Sequence, residues 1–126
     1  MKRFLLGLGL LVLFLALGLV VSMAMDSAHL EIAEDLETAS SLVLEESFSQ
    51  GWALAKKAQL RWKDCWKWTA AVADHAPMDE IDGLFAQLTA FETEEEKVHY
   101  AAICSQLAKL VQAMAQAHSF SLENIL

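Results

Sequence analysis

The feature that most constrains this chain is an uncharged apolar run near its N-terminus, "FLLGLGLLVLFLALGLVVSMA" (residues 4–24). A helix needs about 20 apolar residues to cross the hydrocarbon core of a bilayer, so this run is long enough to span. We therefore predict a transmembrane anchor over residues 4–25, preceded by a short N-terminus at residues 1–3. The remainder of the 126-residue chain, residues 26–126, has room for one small domain.

A cleavable signal peptide is the alternative interpretation of the apolar run. Such signals combine a basic start with an apolar stretch of roughly 7–15 residues and small residues before the cleavage point. Lys2 and Arg3 fit both interpretations, and Ser22-Met23-Ala24 would serve as a cleavage site. The run is longer than a typical signal, and this length favours a retained anchor.

The charges on either side of the run predict its orientation. Lys2 and Arg3 precede it, and no lysine or arginine follows until Lys56. Cytoplasmic flanks of membrane helices carry an excess of Lys and Arg, so we expect a cytoplasmic N-terminus and a C-terminal domain outside the cell. The expected location is the cell membrane, crossed once, and the anchor and signal interpretations agree on the side that the domain occupies.

Net charge narrows the range of partners. Without Lys2 and Arg3, seven basic residues face 17 acidic ones, and a protein of this sign is a poor nucleic-acid binder. The charges are also segregated: residues 26–50 carry only acidic charges, whereas residues 51–75 are mainly basic. We expect the acidic and basic helices to pair within the fold, although each exposed ion pair contributes only about 0–1 kcal/mol.

Apolar residues recur at spacings of three and four, which predicts an all-α domain, an antiparallel bundle of three to four helices. We place these helices at residues 27–46, 52–75, 79–91 and from 93 onward, and the first could continue the anchor as one rod. The segment "SFSQG" (residues 47–51) has the serines and glycine of a turn. Pro77 is expected to end the second helix, because the residue before a proline resists helical geometry.

Each predicted helix has one apolar face. For the first helix it comprises Leu30, Ala33, Leu36, Ala39 or Ser40, and Val43; for the third, Ile81, Leu84, Phe85 and Leu88; for the last, Tyr100, Ile103, Leu107, Leu110, Met114 and Ala117. Thr93 and Glu96 have the spacing of a capping box at the start of the last helix. The apolar C-terminal residues are expected to fold back onto the bundle or to dock on a partner: Phe120, Leu122, Ile125 and Leu126.

The segment "LRWKDCWKW" (residues 60–68) separates into two sides when it is placed on a helix at about 100° per residue. Trp62 and Trp66 fall on the apolar face, with Trp52 at its edge, and this predicts positions in the core. A cation-binding aromatic cage is a weaker alternative for these rings.

Trp68 projects about 120° away from Trp62 on the same helical wheel, between Lys57 and Arg61. It could cover a seam between helices. Alternatively, Trp68, Arg61 and Lys57 could form an aromatic–cation patch that binds a partner, since Trp and Arg are enriched in binding hot spots. Contact with the membrane surface is a further alternative.

Groups that could support chemistry are few. The histidines show no paired metal-ligand spacing, "DHAPMDEID" (residues 74–82) lacks the spacing of a calcium loop, and no nucleophile motif or phosphate loop occurs. We expect no enzyme activity, no metal and no cofactor. Cys65 and Cys104 are a candidate disulfide, because thiols pair readily outside the cytoplasm, with two separate buried thiols as the alternative.

Several short segments occur in a characteristic order: a basic start, one anchor, "DCWKW", "ADHAPMDEID" and a terminal "LENIL". With these features the chain resembles an uncharacterised family of small single-anchor membrane proteins from Firmicutes, domain of unknown function 4363. The resemblance covers nearly the whole chain and depends on Asp74-His75, Ile81 and Leu122-Glu123-Asn124-Ile125. It implies a bacterial, membrane-anchored protein and assigns no functional residue.

The expected function is a protein-interaction or scaffolding module at the bacterial cell surface. Its partners would be the lipid bilayer, through the N-terminal helix, and another membrane or envelope protein. The alternative is a module that binds a small ligand or senses the state of the envelope. A sensor usually needs an output domain, and only residues 1–3 precede the anchor, so the interaction module is favoured.

Overall fold

The computed structural model describes the backbone of residues 1–45 and 47–125, with side chains throughout these ranges except at residue 72 and residues 117–125. It contains four α-helices: α1 (Lys2–Glu45), α2 (Phe48–Val72), α3 (His75–Leu88) and α4 (Lys97–Ile125). Two 3-10 turns, Thr89–Phe91 and Glu94–Glu96, connect α3 to α4. The predicted all-α architecture, a long apolar helix followed by a helical bundle, is confirmed.

The first helix, α1, combines the apolar run and the first bundle helix without a break. Its side chains are exposed throughout residues 4–20, as expected for a surface that faces lipid. Seven residues of its later half are buried in the bundle: Met25, His29, Ile32, Ala33, Leu36, Ala39 and Val43. The length and composition of α1 fit a single-pass membrane anchor. The predicted continuation of the apolar run into the first bundle helix is confirmed.

The second helix, α2, runs antiparallel to α1. Near its start Gly51 lies against Ala39, and near its end Thr69 contacts His29. Residues of rising number in α2 therefore meet residues of falling number in α1. It follows that the C-terminal end of α2 returns toward the apolar run, while its N-terminal end lies far from it.

The remaining helices complete an alternating up-and-down arrangement. In α4, the carbonyl of Ala101 accepts a hydrogen bond from Ser40 Oγ at 2.9 Å, so α4 also begins at the end of α1 that is far from the apolar run. The helix α1 packs against both α2 and α4, and α3 packs on α4. Consequently α1 is both the apolar helix and a central element of the bundle.

The core contains aliphatic and aromatic side chains from all four helices. Its largest fully buried apolar members are Ile32, Leu36, Trp62, Met78, Ile81, Tyr100, Leu107 and Val111. Burial of one such side chain contributes about 1.5–3 kcal/mol. Most of the predicted apolar faces are confirmed, but Leu30 is 48% exposed and Leu110 is half-buried. The predictions for Ala117 and for the apolar C-terminal residues concern side chains outside the described part, although the backbone of α4 continues to Ile125.

The predicted connection between the first two bundle helices is confirmed at Ser47, but its predicted extent to Gly51 is wrong. The helix α2 already begins at Phe48, with Ser47 as its N-cap, and Ser47 Oγ accepts a hydrogen bond from the Gln50 N–H at 3.4 Å. Gly51 is therefore a buried helical residue. It supports close packing against α1, which a turn signal in the sequence does not reveal.

The predicted role of Pro77 is also wrong. The helix α2 ends at Val72, and Pro77 lies in the first turn of α3, which begins at His75. The N–H groups of a first helical turn have no intrahelical acceptor, so a proline is tolerated there. Pro77 thus helps to begin α3, which extends to Leu88 and not to residue 91.

The predicted capping box does not form. Thr93 precedes the 3-10 turn Glu94–Glu96 and its side chain makes no capping hydrogen bond. The Glu96 carboxylate instead lies 3.0 Å from His99 Nδ1, one turn into the helix. Because the short 3-10 turn separates Thr93 from α4, the two partners of the box do not have the geometry of an α-helical N-terminus.

Candidate functional site

One carboxylate joins α2 to α3. Trp62 Nε1 donates a hydrogen bond to Asp82 Oδ1 at 2.7 Å, and Trp66 Nε1 donates to Asp82 Oδ2 at 3.0 Å. Buried indole N–H groups need an acceptor, and an ionised acceptor makes the stronger bond. These three residues, the indole–carboxylate clamp, hold the second half of α2 against α3.

The clamp explains part of the tryptophan pattern. Trp62 is buried as predicted, and Trp66 is half-buried at the edge of the core. Trp52 is 37% exposed, so its prediction as a core residue is wrong; the Lys56 ammonium lies 5.6 Å from its ring centroid. The four indoles therefore do not surround one common space, and the geometry disagrees with a cation-binding cage.

Two polar side chains lie in the interior between α1 and α2. Thr69 Oγ1 donates to the Cys65 carbonyl at 2.9 Å, and it lies 3.0 Å from His29 Nε2. Because the hydroxyl has only one proton to donate, it accepts the His29 contact from an Nε2–H group. His29 and Thr69 are fully buried. Sequence reasoning missed this pair, although the spacing of His29 from Met25 and Ile32 places it on the apolar stripe of α1.

A groove runs along the outer side of the α1–α2 contact. Its lower part, toward the apolar run, has a volume of about 270 Å³ and is lined by Val21, Ala24, Met25, Ala28, Cys65 and Trp68. Its upper part, about 300 Å³, shares Ala28, Cys65 and Trp68 and adds Glu31, Ile32, Arg61 and Asp64. We call the two parts together the α1–α2 groove. The lower part is apolar, whereas charged side chains surround the upper part.

The three residues predicted to bind a partner occupy related positions on α2. Trp68 and Arg61 line the α1–α2 groove, and Lys57 is exposed one turn from Arg61. Arg61 Nη1 lies 3.0 Å from Glu31 Oε2 and 3.6 Å from Asp35 Oδ2 of α1. These ion pairs agree with the predicted pairing of an acidic helix with a basic one. Binding of a partner by these residues stays a prediction.

The candidate disulfide is not formed, and Cys65 and Cys104 are free thiols. They belong to α2 and α4, each of which packs on α1. Cys65 Sγ donates to the Trp62 carbonyl at 3.4 Å, and Cys104 is fully buried. Burial raises the pKa of Cys65, and it raises the pKa of Cys104 to about 12, so both thiols are protonated near neutral pH.

The far end of the bundle has a more polar surface. A cavity of about 390 Å³ opens there between the end of α1, the start of α2 and the turn before α4, with Ser47, Ser49, Glu94 and Lys97 among its lining residues. Among the side chains that are described, no group of three or more His, Cys, Asp or Glu is placed to hold a metal ion. The described geometry therefore offers surfaces for binding and no assembled set of metal ligands.

Comparison with known proteins identifies a family and no function. Residues 19–125 match the family described as "Domain of unknown function (DUF4363)". No curated protein and no solved structure matches the chain. The matched region contains the clamp, the groove, Asp74-His75, Ile81 and residues 122–125, whereas the basic start and most of the apolar run precede it. The chain therefore belongs to the DUF4363 family.

Proposed function

We propose that this protein is a non-enzymatic, membrane-anchored interaction module that binds another membrane or envelope protein on the outer side of a bacterial membrane. The observation that carries the proposal is the continuity of α1. The same helix fits a membrane anchor and packs against α2 and α4 in the bundle. A bundle attached without a joint presents its surface at a fixed height and in a fixed direction, which suits lateral docking on another membrane protein.

The outer face of α2 is the surface that we assign to this partner. Leu60 is 63% exposed on this face, and Lys57 and Arg61 flank it. An exposed leucine alone is ordinary on a protein surface. Combined with an arginine held in place by α1, it offers an apolar contact beside a preorganised cation, and arginine is enriched among the residues that dominate binding energy.

The proposed orientation follows from charge. Lys2 and Arg3 lie at one end of the apolar run, and the other end leads into a segment with acidic charges only. The positive-inside tendency supports a cytoplasmic N-terminus and an external bundle. A Leu60→Cys variant in intact cells should react with a membrane-impermeant maleimide, whereas a Lys2→Cys variant should react only after the cells are opened. The reverse pattern would contradict this orientation.

Site-specific crosslinking tests the partner. A photo-crosslinking amino acid replaces Leu60 in the full-length chain, and a matched variant carries it at Ala113, which is exposed on α4. Illumination of intact cells should give a discrete adduct with a second protein from position 60 and none from position 113. Equal adducts from both positions, adducts with a second copy of this chain only, or no adduct at either position would each contradict the proposal.

A further inference from the structure

We infer that the lower part of the α1–α2 groove is a lipid site. The acyl-chain and glycerol region of a membrane lipid fills it, and the Trp68 indole lies at the boundary between hydrocarbon and headgroups. The inference requires α1 to be a membrane anchor, but it requires no protein partner and neither orientation of the chain.

The height of the groove along α1 is the first argument. The apolar run, residues 4–24, is about 30 Å long at 1.5 Å per residue, which equals the thickness of a hydrocarbon core. The boundary of the hydrocarbon on the side of the bundle therefore lies near Ala24. Val21 lies about 4.5 Å below this level and Ala28 about 6 Å above it, so the lower groove extends across the boundary.

The chemistry of the lower groove is the second argument. Its lining is apolar apart from the thiol of Cys65 and the indole nitrogen of Trp68. Trp68 is 67% exposed, more than any other large apolar side chain beyond residue 24 whose exposure is described. Tryptophan is enriched at membrane boundaries because its ring is apolar and its N–H is polar. At this height lipid covers the ring that water would otherwise surround.

The surrounding charges indicate which part of the lipid is bound. Above the lower groove, Arg61 already lies close to Glu31 and Asp35, and Asp64 also lines the groove. No cation in the lining is left without a nearby carboxylate, so the described groove gives little attraction for an anionic headgroup. The small side chains of Ala24, Ala28 and Cys65 instead leave a slot that an acyl chain can enter.

Fluorescence quenching by brominated lipid tests the inference. The full-length chain is reconstituted into vesicles of phosphatidylcholine brominated near the glycerol end of its acyl chains, and compared with the same protein in unbrominated vesicles. Wild-type emission should fall by roughly a quarter, because one of four tryptophans contacts bromine. Trp68→Phe should remove this fall. Trp52→Phe, about 24 Å farther along α2, should retain it.

Three results would overturn the inference. If Trp68→Phe leaves the quenching unchanged, or if wild-type protein in vesicles shows none, the groove holds no lipid. Trp68 would then stay open to aqueous acrylamide, as expected for a groove reserved for a protein. Failure of the chain to float with the vesicles would also overturn the inference. Crosslinking at Leu60 does not affect any of these outcomes, so the lipid site and the proposed protein contact succeed or fail separately.

Discussion

The two ends of the α1–α2 interface differ in how closely the helices approach. At the end far from the apolar run, a Cβ added to Gly51 would lie 2.8 Å from the Ala39 carbonyl oxygen and 2.9 Å from the Val43 amide nitrogen. At the end near the apolar run, Ala28 and Cys65 line a cavity of about 300 Å³. The α1–α2 interface thus has a closed end, where the backbones approach closely at Gly51, and an open end, where the groove lies beside Ala28 and Cys65.

The difference follows from where the large side chains of α2 point. At the closed end α2 presents a glycine to α1, so the backbones meet. Toward the open end its two largest buried or half-buried side chains, Trp62 and Trp66, turn to Asp82 of α3. Trp62 also contacts His29 of α1, with 5.9 Å between the ring centroids, but the outer side of the α1–α2 contact stays unfilled beside Ala28 and Cys65. The spacing between α1 and α2 therefore depends on the side chains that α2 directs to α3, as well as on the side chains between α1 and α2.

The largest expected effect comes from filling the closed end. Gly51→Leu should lower the free energy of unfolding by about 3 kcal/mol, because the new side chain meets the backbone of α1. Gly83→Leu is the matched control, since a Cβ at this helical glycine has no neighbour within 4 Å. It should stabilise by about 0.5–1 kcal/mol through helix propensity. Urea unfolding of the full chain in micelles measures both; similar losses would refute the close approach.

The second-largest effect is expected from removing the acceptor of the indole–carboxylate clamp. Asp82→Ala should cost about 2 kcal/mol in the free energy of unfolding, because two partly buried indole N–H groups lose their acceptor. The tryptophan emission should also shift to longer wavelength. Asp79→Ala, an exposed position on the same helix, should change stability by less than about 0.5 kcal/mol. A loss of stability no larger than that of the control would mean that the clamp contributes nothing.

The two thiols differ in their access to solvent. Cys65 lines the groove and Cys104 is fully buried, so iodoacetamide at pH 8 should modify Cys65 first. Burial raises the pKa of Cys104 from 9.0 to about 12, so the unfolded chain loses this proton at lower pH than the folded chain. The contribution of Cys104 to stability is therefore complete below pH 9 and is lost between pH 9 and about 12.

Alkaline unfolding measures this loss. Cys104→Ala should reduce the fall in stability above pH 9 without removing it, because burial also raises the pKa of Tyr100. Cys65→Ala is the control and should change the pH dependence less. Faster labelling of Cys104 than of Cys65, or an unchanged pH profile in Cys104→Ala, would contradict the placement of the two thiols.

The smallest effect is expected from filling the open end. Ala28→Leu should change the free energy of unfolding by no more than about 0.5 kcal/mol, because the groove has room for the added atoms. Ala39→Leu, at a fully buried position that faces Gly51, should cost about 1–3 kcal/mol by overpacking. Equal costs in thermal unfolding would show that the two ends of the interface do not differ.

Helical periodicity predicted the elements well because each helix buries one face. It failed where burial depends on a partner in another helix. A pattern scored by hydrophobicity selects Leu30 for the core and passes over His29, yet Leu30 is half exposed and His29 is buried. The hydroxyl of Thr69 contacts Nε2 of the imidazole, and this contact between residues 29 and 69 has no sequence spacing that would predict it.

The helix boundaries and the candidate site could not be fully predicted from the sequence, because both depend on contacts between helices. Gly51 and Pro77 are turn-forming residue types, but one serves close packing and the other lies in a first helical turn. The clamp depends on the register of α3 on α2, which the short connection between them determines. Trp68 could be placed beside the apolar run only after Gly51 and Thr69 established the register of α2 on α1.

In the proposed membrane-anchored protein, the unbroken course of α1 would make the position of the distal end of the bundle depend on bilayer thickness. From Ala24 to Glu45 the helix rises about 30 Å, and a membrane helix tilts when its apolar length exceeds the local hydrocarbon thickness. A tilt of about 10° would displace Glu45 sideways by about 5 Å. Thinner and thicker membranes would therefore shift the distal surface laterally, with no conformational change inside the protein.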